Sequence, residues 1–103
     1  MIEIFATRKA GCYRLWVTGH ANYNPGNDIV CAGVSALTGA LIGFAKKSKA
    51  CRHLRCYARH GEVFLACRGG LGCAFEAILD ALCSIAASYP DHVRIKRSEG
   101  VGD

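Results

Sequence analysis

The spacing of hydrophobic residues switches four times along this chain, between strict alternation and a spacing of three and four. Alternation over residues 2–17, interrupted by the turn signal RKAG, predicts a β-hairpin. Alternation over residues 54–67, interrupted by HG, predicts a second hairpin, and HVRIKR predicts a fifth strand. The chain is therefore constrained to build most of a sheet from two local hairpins.

Two helices are predicted between and after the hairpins. The first has an apolar stripe formed by Val30, Val34, Leu37, Leu41 and Phe44. The second has a stripe formed by Phe75, Ile78, Leu79, Leu82, Ile85 and Ala86. Pro90 is expected to end this second helix. The order ββαββαβ predicts an α+β fold, a two-layer sandwich of a mainly antiparallel sheet with both helices on one face.

Length and composition predict one globular domain. A chain of 103 residues with 51% hydrophobic and 20% charged residues is typical of a single folded domain. Disordered proteins have a lower hydrophobic content than this. We expect a domain over residues 1–97 and a flexible tail over 98–103. The N-terminus shows no secretion signal, and the uncharged runs at 29–45 and 81–89 are short for a membrane span, so we expect a cytoplasmic protein without a membrane partner.

The seven cysteines do not predict a disulfide framework, because their number is odd and no export signal precedes them. The segment CRHLRC brings Cys51, His53 and Cys56 together, with Cys67 further on, but the spacing differs from that of zinc knuckles. We expect most of these cysteines to be small buried residues. The sequence predicts no metal site and no cofactor.

The stretch GHANYNPGNDIVCAGVSAL places a histidine and a cysteine on either side of a loop. Asp28 is predicted to be the N-cap of the first helix, which puts Cys31 on its first turn. Unpaired N–H groups and the helix dipole favour a thiolate there. Cys31 shares one side of the helix with Ser35, Thr38 and Ile42, at the border of the core.

The residues alone leave two interpretations of this pair open. In the first, the loop at 21–27 folds back and brings the His20 imidazole to the Cys31 sulfur, so that the histidine is the base and the cysteine is the nucleophile. The contact between them tightens when substrate binds. A cysteine at this position is also a common small packed residue, and a histidine before a loop is a common surface group. Asp28 has two possible roles as well, helix capping and orientation of His20.

The residues GHA, a short loop containing glycine, and then DIVCAGVSAL resemble the signature of the Prp family of ribosomal-processing cysteine proteases. The chain length, the order of elements and the closing YPDHVRIK are also similar to that family. Gly33 is a departure, since members usually have alanine there. The resemblance covers nearly the whole chain.

This resemblance implies a cysteine endopeptidase with Cys31 as nucleophile and His20 as base. It implies that the enzyme removes a short N-terminal extension from large-subunit ribosomal protein twenty-seven and forms a homodimer. Spare N–H groups at the start of the first helix would bind the oxyanion. Ser35 matches a family position, and two roles stay open for it: it shapes the pocket, or it is a small residue that is tolerated in the packing of the helix. Gly39 and Gly43 predict close packing within the chain or a dimer contact.

Two alternatives remain open at this point. The net charge of +5 also fits a non-catalytic RNA- or ribosome-binding module, whose cations would be Lys46, Lys47, Lys49, Arg52, Arg55, Arg59 and Arg68. Aromatic residues do not interleave with these cations in any recognised pattern for binding single strands, which favours a solvated basic face, and the protease does not require nucleic acid. The second alternative is the same protease acting on a phage structural protein.

Overall fold

The computed structural model describes residues 1–24 and 28–99, and the order of their elements is ββαββαβ, as predicted. The strands are β1 (Ile2–Lys9), β2 (Cys12–Thr18), β3 (Arg52–Arg59), β4 (Glu62–Arg68) and β5 (Val93–Glu99). The helices are α1 (Ile29–Lys47) and α2 (Gly72–Ser88). The predicted α+β fold is confirmed.

The strands form one sheet in the order β3-β4-β2-β1-β5. All neighbours are antiparallel except β1 and β5, which are parallel and pair Ile2 with Val93. The hairpins turn at residues 10–11 and 60–61, where Gly11 and Gly61 have φ angles of 78° and 77°. Glycine adopts this left-handed conformation without a side-chain clash, so each hairpin turns in two residues.

Both helices cover the same face of the sheet. Alternate strand residues such as Ile4, Leu15 and Leu65 are at most 1% exposed and belong to one core cluster with Val34 of α1 and Leu79 of α2. Strand periodicity directs the intervening side chains to the other face. The described residues place no helix on that second face.

The buried side of α1 differs from the predicted stripe. Phe44 is 47% exposed and Leu37 is half-buried, whereas Thr38 and Ala45 are buried. The Thr38 hydroxyl donates to the Val34 carbonyl oxygen at 3.0 Å, so its polarity is satisfied inside the core. The prediction that Phe44 is buried is wrong, because α1 contacts the sheet through smaller side chains. By length and mean hydropathy α1 also meets the criterion for a membrane-spanning helix, a criterion that core helices of soluble proteins meet too.

The last strand is longer than the predicted domain. Ser98 and Glu99, assigned from the sequence to the tail, belong to β5 and pair with Thr7 and Arg8 of β1. Residues 100–103 of the predicted tail lie outside the described residues.

Candidate active site

A cleft of about 620 Å³ lies between α1 and the β3–β4 turn. One wall is formed by the side of α1 that carries Cys31, Ser35, Thr38 and Ile42. The other wall is formed by residues 58–63, and His20 lines the same space. The predicted border position of Cys31 is confirmed, and the predicted histidine and cysteine lie in one cleft.

Asp28 is the N-cap of α1, as predicted. Its Oδ1 accepts hydrogen bonds from the backbone N–H groups of Val30 and Cys31, each at 3.0 Å. Its Oδ2 accepts a hydrogen bond from the backbone N–H of Tyr23 at 3.2 Å. These bonds, the one from Cys31 above all, hold the pKa of Asp28 below its usual value. Within residues 1–24 and 28–99, no hydrogen bond joins Asp28 to His20.

Cys31 is half-buried, and its sulfur accepts a hydrogen bond from the Ala21 N–H at 3.2 Å. This donor and the start of α1 both stabilise negative charge on the sulfur. Ala21 is 1% exposed, and its carbonyl oxygen lies 2.8 Å from Nδ1 of His92. A buried, hydrogen-bonded backbone segment therefore positions the donor.

His20 is exposed and follows β2 by two residues. Its backbone carbonyl accepts a hydrogen bond from the Met1 amino group at 2.6 Å, and its ring lies against that of His60, with centroids 4.6 Å apart. A Cβ on Gly61 would lie 3.0 Å from its Nε2. Among the described residues, no hydrogen bond joins His20 to Cys31. Catalytic pairs are often this loose without substrate.

Sequence reasoning missed His60 as a neighbour of the predicted base. The segment HG was interpreted only as a hairpin turn, yet that turn places the exposed His60 in the cleft beside His20. The two histidines are forty residues apart in sequence, and only the pairing of β4 with β2 brings them together. No local pattern reveals such a contact.

The first half of the loop after β2 makes specific contacts. The Tyr23 ring packs edge-on against the rings of Tyr89 and His92, with both centroid distances 5.2 Å. These contacts tie the beginning of the loop to the segment between α2 and β5. Residues 25–27 of the loop lie outside the described residues.

The cysteines of the discarded zinc motif lie at or near the core. The described residues form no group of three or more His, Cys, Asp or Glu that could hold a metal ion. Cys51 and Cys56 are half-buried against the core and Cys67 is buried, whereas Cys73 and Cys83 are exposed, so the expectation that most of the seven cysteines are buried is wrong. Burial, and secondarily the neighbouring Cys51 thiol, raise the pKa of Cys67 to about 12. Cys67 is therefore a neutral thiol near neutral pH.

Comparison with known families identifies the class of protein to which this cleft belongs. A family model described as cysteine protease Prp matches residues 1–94. The chain belongs to the Prp family. It is therefore a cysteine-type peptidase, and the cysteine that lines the cleft with a histidine is the natural candidate for its nucleophile.

Solved structures share this Prp fold. SMU.848 from Streptococcus mutans is 26% identical with a TM-score of 0.72, and the match covers 97% of this chain and 96% of that chain. The essential ribosomal processing protease Prp from S. aureus is 23% identical (TM-score 0.75) with a covalently linked product peptide, and 22% (0.73) with a substrate peptide. Both S. aureus matches cover 95% of this chain and 100% of that chain. A search of curated protein sequences finds no match.

Cys31 of this Prp protein should be alkylated by iodoacetamide faster than Cys73 near neutral pH, although Cys73 is exposed and Cys31 is half-buried. Cys73 is a matched control because it also lies on the first turn of a helix, but α2 lacks a side-chain cap. Only Cys31 combines a helix N-terminus, the Ala21 donor and a histidine in its cleft. Mass spectrometry after brief treatment measures both rates, and a slower Cys31 would contradict its assignment.

Proposed function

We propose that this chain is a cytoplasmic endopeptidase that removes a short N-terminal extension from large-subunit ribosomal protein twenty-seven, with Cys31 as nucleophile and His20 as base. The observation that carries the proposal is the shared cleft, in which an N–H group is directed at the Cys31 sulfur and His20 lines the same space. The S. aureus relative, a ribosomal processing protease, supports the substrate class.

In the proposed reaction His20 takes the proton of the Cys31 thiol, and the sulfur attacks the carbonyl carbon of the scissile peptide bond. His20 then gives this proton to the leaving amine, which produces a thioester between Cys31 and the N-terminal extension. A water molecule that His20 deprotonates attacks the thioester and releases the extension. The sulfur regains its proton, so the enzyme is restored.

Three N–H groups at the start of α1 are already hydrogen-bonded within the helix cap. The N–H groups of Val30 and Cys31 already bond to the Asp28 side chain, and that of Ala32 bonds to the Asp28 carbonyl oxygen at 3.1 Å. The expectation of spare N–H groups at these three positions is therefore wrong. The Ala21 N–H contacts the reacting sulfur, so it lies within reach of an oxygen on the carbon attached to that sulfur. We assign Ala21 as a donor to the oxyanion.

The test uses the purified chain and the precursor of the ribosomal protein from the same organism. The wild type should cut the precursor once, near its N-terminus, and intact-mass measurement should identify both fragments. His20→Ala should bind the precursor and leave it uncut. The mature ribosomal protein without its extension is the control and should remain uncut. If the precursor stays intact and a phage capsid or scaffold precursor is cut, the proposed substrate is wrong.

The homodimer belongs to the proposal as well. A Cβ on Gly39 or Gly43 would meet nothing within 4 Å, so the expectation of close packing within the chain at these glycines is wrong. The exposed Phe44 follows Gly43 on the same helix. Gly39 lines the cleft, so the exposed Phe44 is the feature of α1 that supports the alternative of a dimer contact. Sedimentation of the wild type and of Phe44→Glu would test whether the chain forms a dimer and whether Phe44 lies in the dimer contact.

A further inference from the structure

The sheet face opposite the helices carries a row of four aromatic side chains, one from each of four adjacent strands. The register pairs Tyr57 with Phe64, Phe64 with Trp16, and Trp16 with Phe5. Ring centroids are 5.5 Å apart for the stacked pair Tyr57–Phe64 and 5.7 Å apart for Phe5–Trp16. Phe5, Trp16 and Tyr57 are 37%, 41% and 38% exposed. Since neighbouring strands lie about 4.8 Å apart, this aromatic row is a strip about 14 Å long.

Two rings of the aromatic row are fixed by one carboxylate. Oε2 of Glu62 accepts hydrogen bonds from Trp16 Nε1 at 2.7 Å and from the Tyr57 hydroxyl at 2.9 Å. Arg59 forms an ion pair with Glu62 at 3.2 Å and lies over the Tyr57 ring, 4.3 Å from its centroid. The charge of Glu62 is therefore offset by Arg59. Rings that are already oriented lose less freedom when a ligand stacks on them.

Cations surround the aromatic row on the same face. Strand alternation and register place seven exposed basic side chains there: Lys9, Arg14, Arg52, Arg55, Arg68, Arg94 and Lys96. Within residues 1–24 and 28–99, none of these seven forms an ion pair with a carboxylate. The strand residues described on this face include two acids, Glu3 and Glu62. The face therefore attracts a polyanion.

A depression of about 690 Å³ lies on this face next to the aromatic row. Four of the seven cations, Lys9, Arg14, Arg55 and Arg68, line it, and none of its described lining residues is acidic. Ala66, which follows Phe64 by two residues on β4, also lines it. Phosphates and bases alternate along a single nucleic-acid strand. The cations around the depression can bind the phosphates, and the exposed rings beside it can stack on the bases.

We propose that this face binds single-stranded RNA, with bases stacked on the aromatic row and phosphates held by the seven surrounding cations. Exposed aromatic residues on RNA-binding sheets stack two or three bases in this way. A second copy of the chain fits less well, because it would bring these cations against each other. The choice of RNA as the single strand rests on the proposed function, whose substrate is a ribosomal protein. This face would hold the enzyme on RNA while the cleft acts on protein.

Trp16 is the only tryptophan of the chain, so its fluorescence reports directly on this face. Titration of the wild type with a short oligouridylate should quench this emission to saturation, with an affinity that weakens as salt rises. Tyr57→Ala, which removes one stacking platform, should lower the affinity by about fivefold or more. Circular dichroism and thermal unfolding show whether each variant is folded, and quenching of the wild type requires no variant.

A pair of charge-reversed double variants separates this face from general basicity. Arg14→Glu/Arg55→Glu should lower the affinity for oligouridylate by about tenfold or more, because both cations line the depression. Lys46→Glu/Lys47→Glu changes the net charge equally at the C-terminus of α1 and should stay within about twofold of the wild type. Cys31→Ala should bind RNA like the wild type, so a failure of the proposed protease reaction and a failure of RNA binding are separate results.

Four outcomes would overturn the proposal. Absence of Trp16 quenching by oligouridylate would remove the stacking site. Equal losses in the two double variants would leave only a net-charge effect. Quenching by phosphatidylserine vesicles, without quenching by RNA, would assign the face to an anionic membrane. Trp16 emission that depends on protein concentration, together with a dimer that Tyr57→Ala dissociates, would make the face an interface between two copies.

Discussion

Replacing Cys31 by alanine should abolish cleavage of the precursor, with a loss in kcat of about 10⁴-fold or more. Without the sulfur no thiol remains among the described residues that line the cleft, and the Ser35 hydroxyl is a much weaker nucleophile than a thiolate. The fold should survive, since Cys31 is half-buried at the border of the core and the Asp28 cap bonds to its backbone N–H, which alanine retains. Initial rates of precursor cleavage, measured by mass spectrometry, give the loss.

Two further variants make this result specific. Cys73→Ala removes an exposed cysteine that is not among the lining residues of the cleft and should keep the wild-type rate. Cys31→Ser keeps an acceptor of similar size for the Ala21 N–H but is a weaker nucleophile, so it should also lose nearly all activity. Retained cleavage in Cys31→Ala would show that the nucleophile lies elsewhere and would end the proposed mechanism.

The fold could be predicted well because its signals are local. The hairpins follow from alternation interrupted by glycine turns, and each turn joins strands that are adjacent in sequence. The orientation of α1 about its axis was predicted less well. Hydrophobicity ranks Phe44 above Thr38 as a core residue, but Thr38 is buried because its hydroxyl bonds to the helix backbone. A stripe of hydrophobic residues in the sequence takes no account of that hydrogen bond.

In the candidate site, too, contacts between residues close in sequence could be predicted and contacts between distant segments could not. Asp28 and Cys31 are three residues apart, so capping chemistry predicts both their positions and the hydrogen bond between them. The Ala21 donor, His60 beside His20 and the aromatic row depend on contacts between distant segments. Aromatic residues and cations that form no recognised single-strand-binding pattern along the chain meet on the sheet, because each of four adjacent strands contributes one ring. Sequence order alone could not show this surface.

Gly61→Ala should lower kcat by about 10- to 100-fold, because a methyl group there displaces the imidazole proposed as the base. The added Cβ would lie 3.0 Å from Nε2 of His20, so the ring must shift by a few tenths of an ångström. His20 is exposed and its ring packs only against the exposed His60 among the described ring contacts, so the clash moves the side chain more easily than the backbone. Precursor cleavage under saturating conditions measures the effect.

Gly11→Ala is the matched control, since it carries the same backbone cost without touching the cleft. Gly11 and Gly61 each occupy the second position of a two-residue hairpin turn, with φ angles of 78° and 77°, and a Cβ on Gly11 would meet nothing within 4 Å. Alanine at either position should therefore reduce the free energy of unfolding by about 1–2 kcal/mol, as a left-handed conformation costs a residue with a side chain. Only Gly61→Ala should lose activity. If both variants lose the same stability and both cleave at the wild-type rate, the position that the His20 ring takes in the free protein does not limit the reaction, and this prediction is wrong.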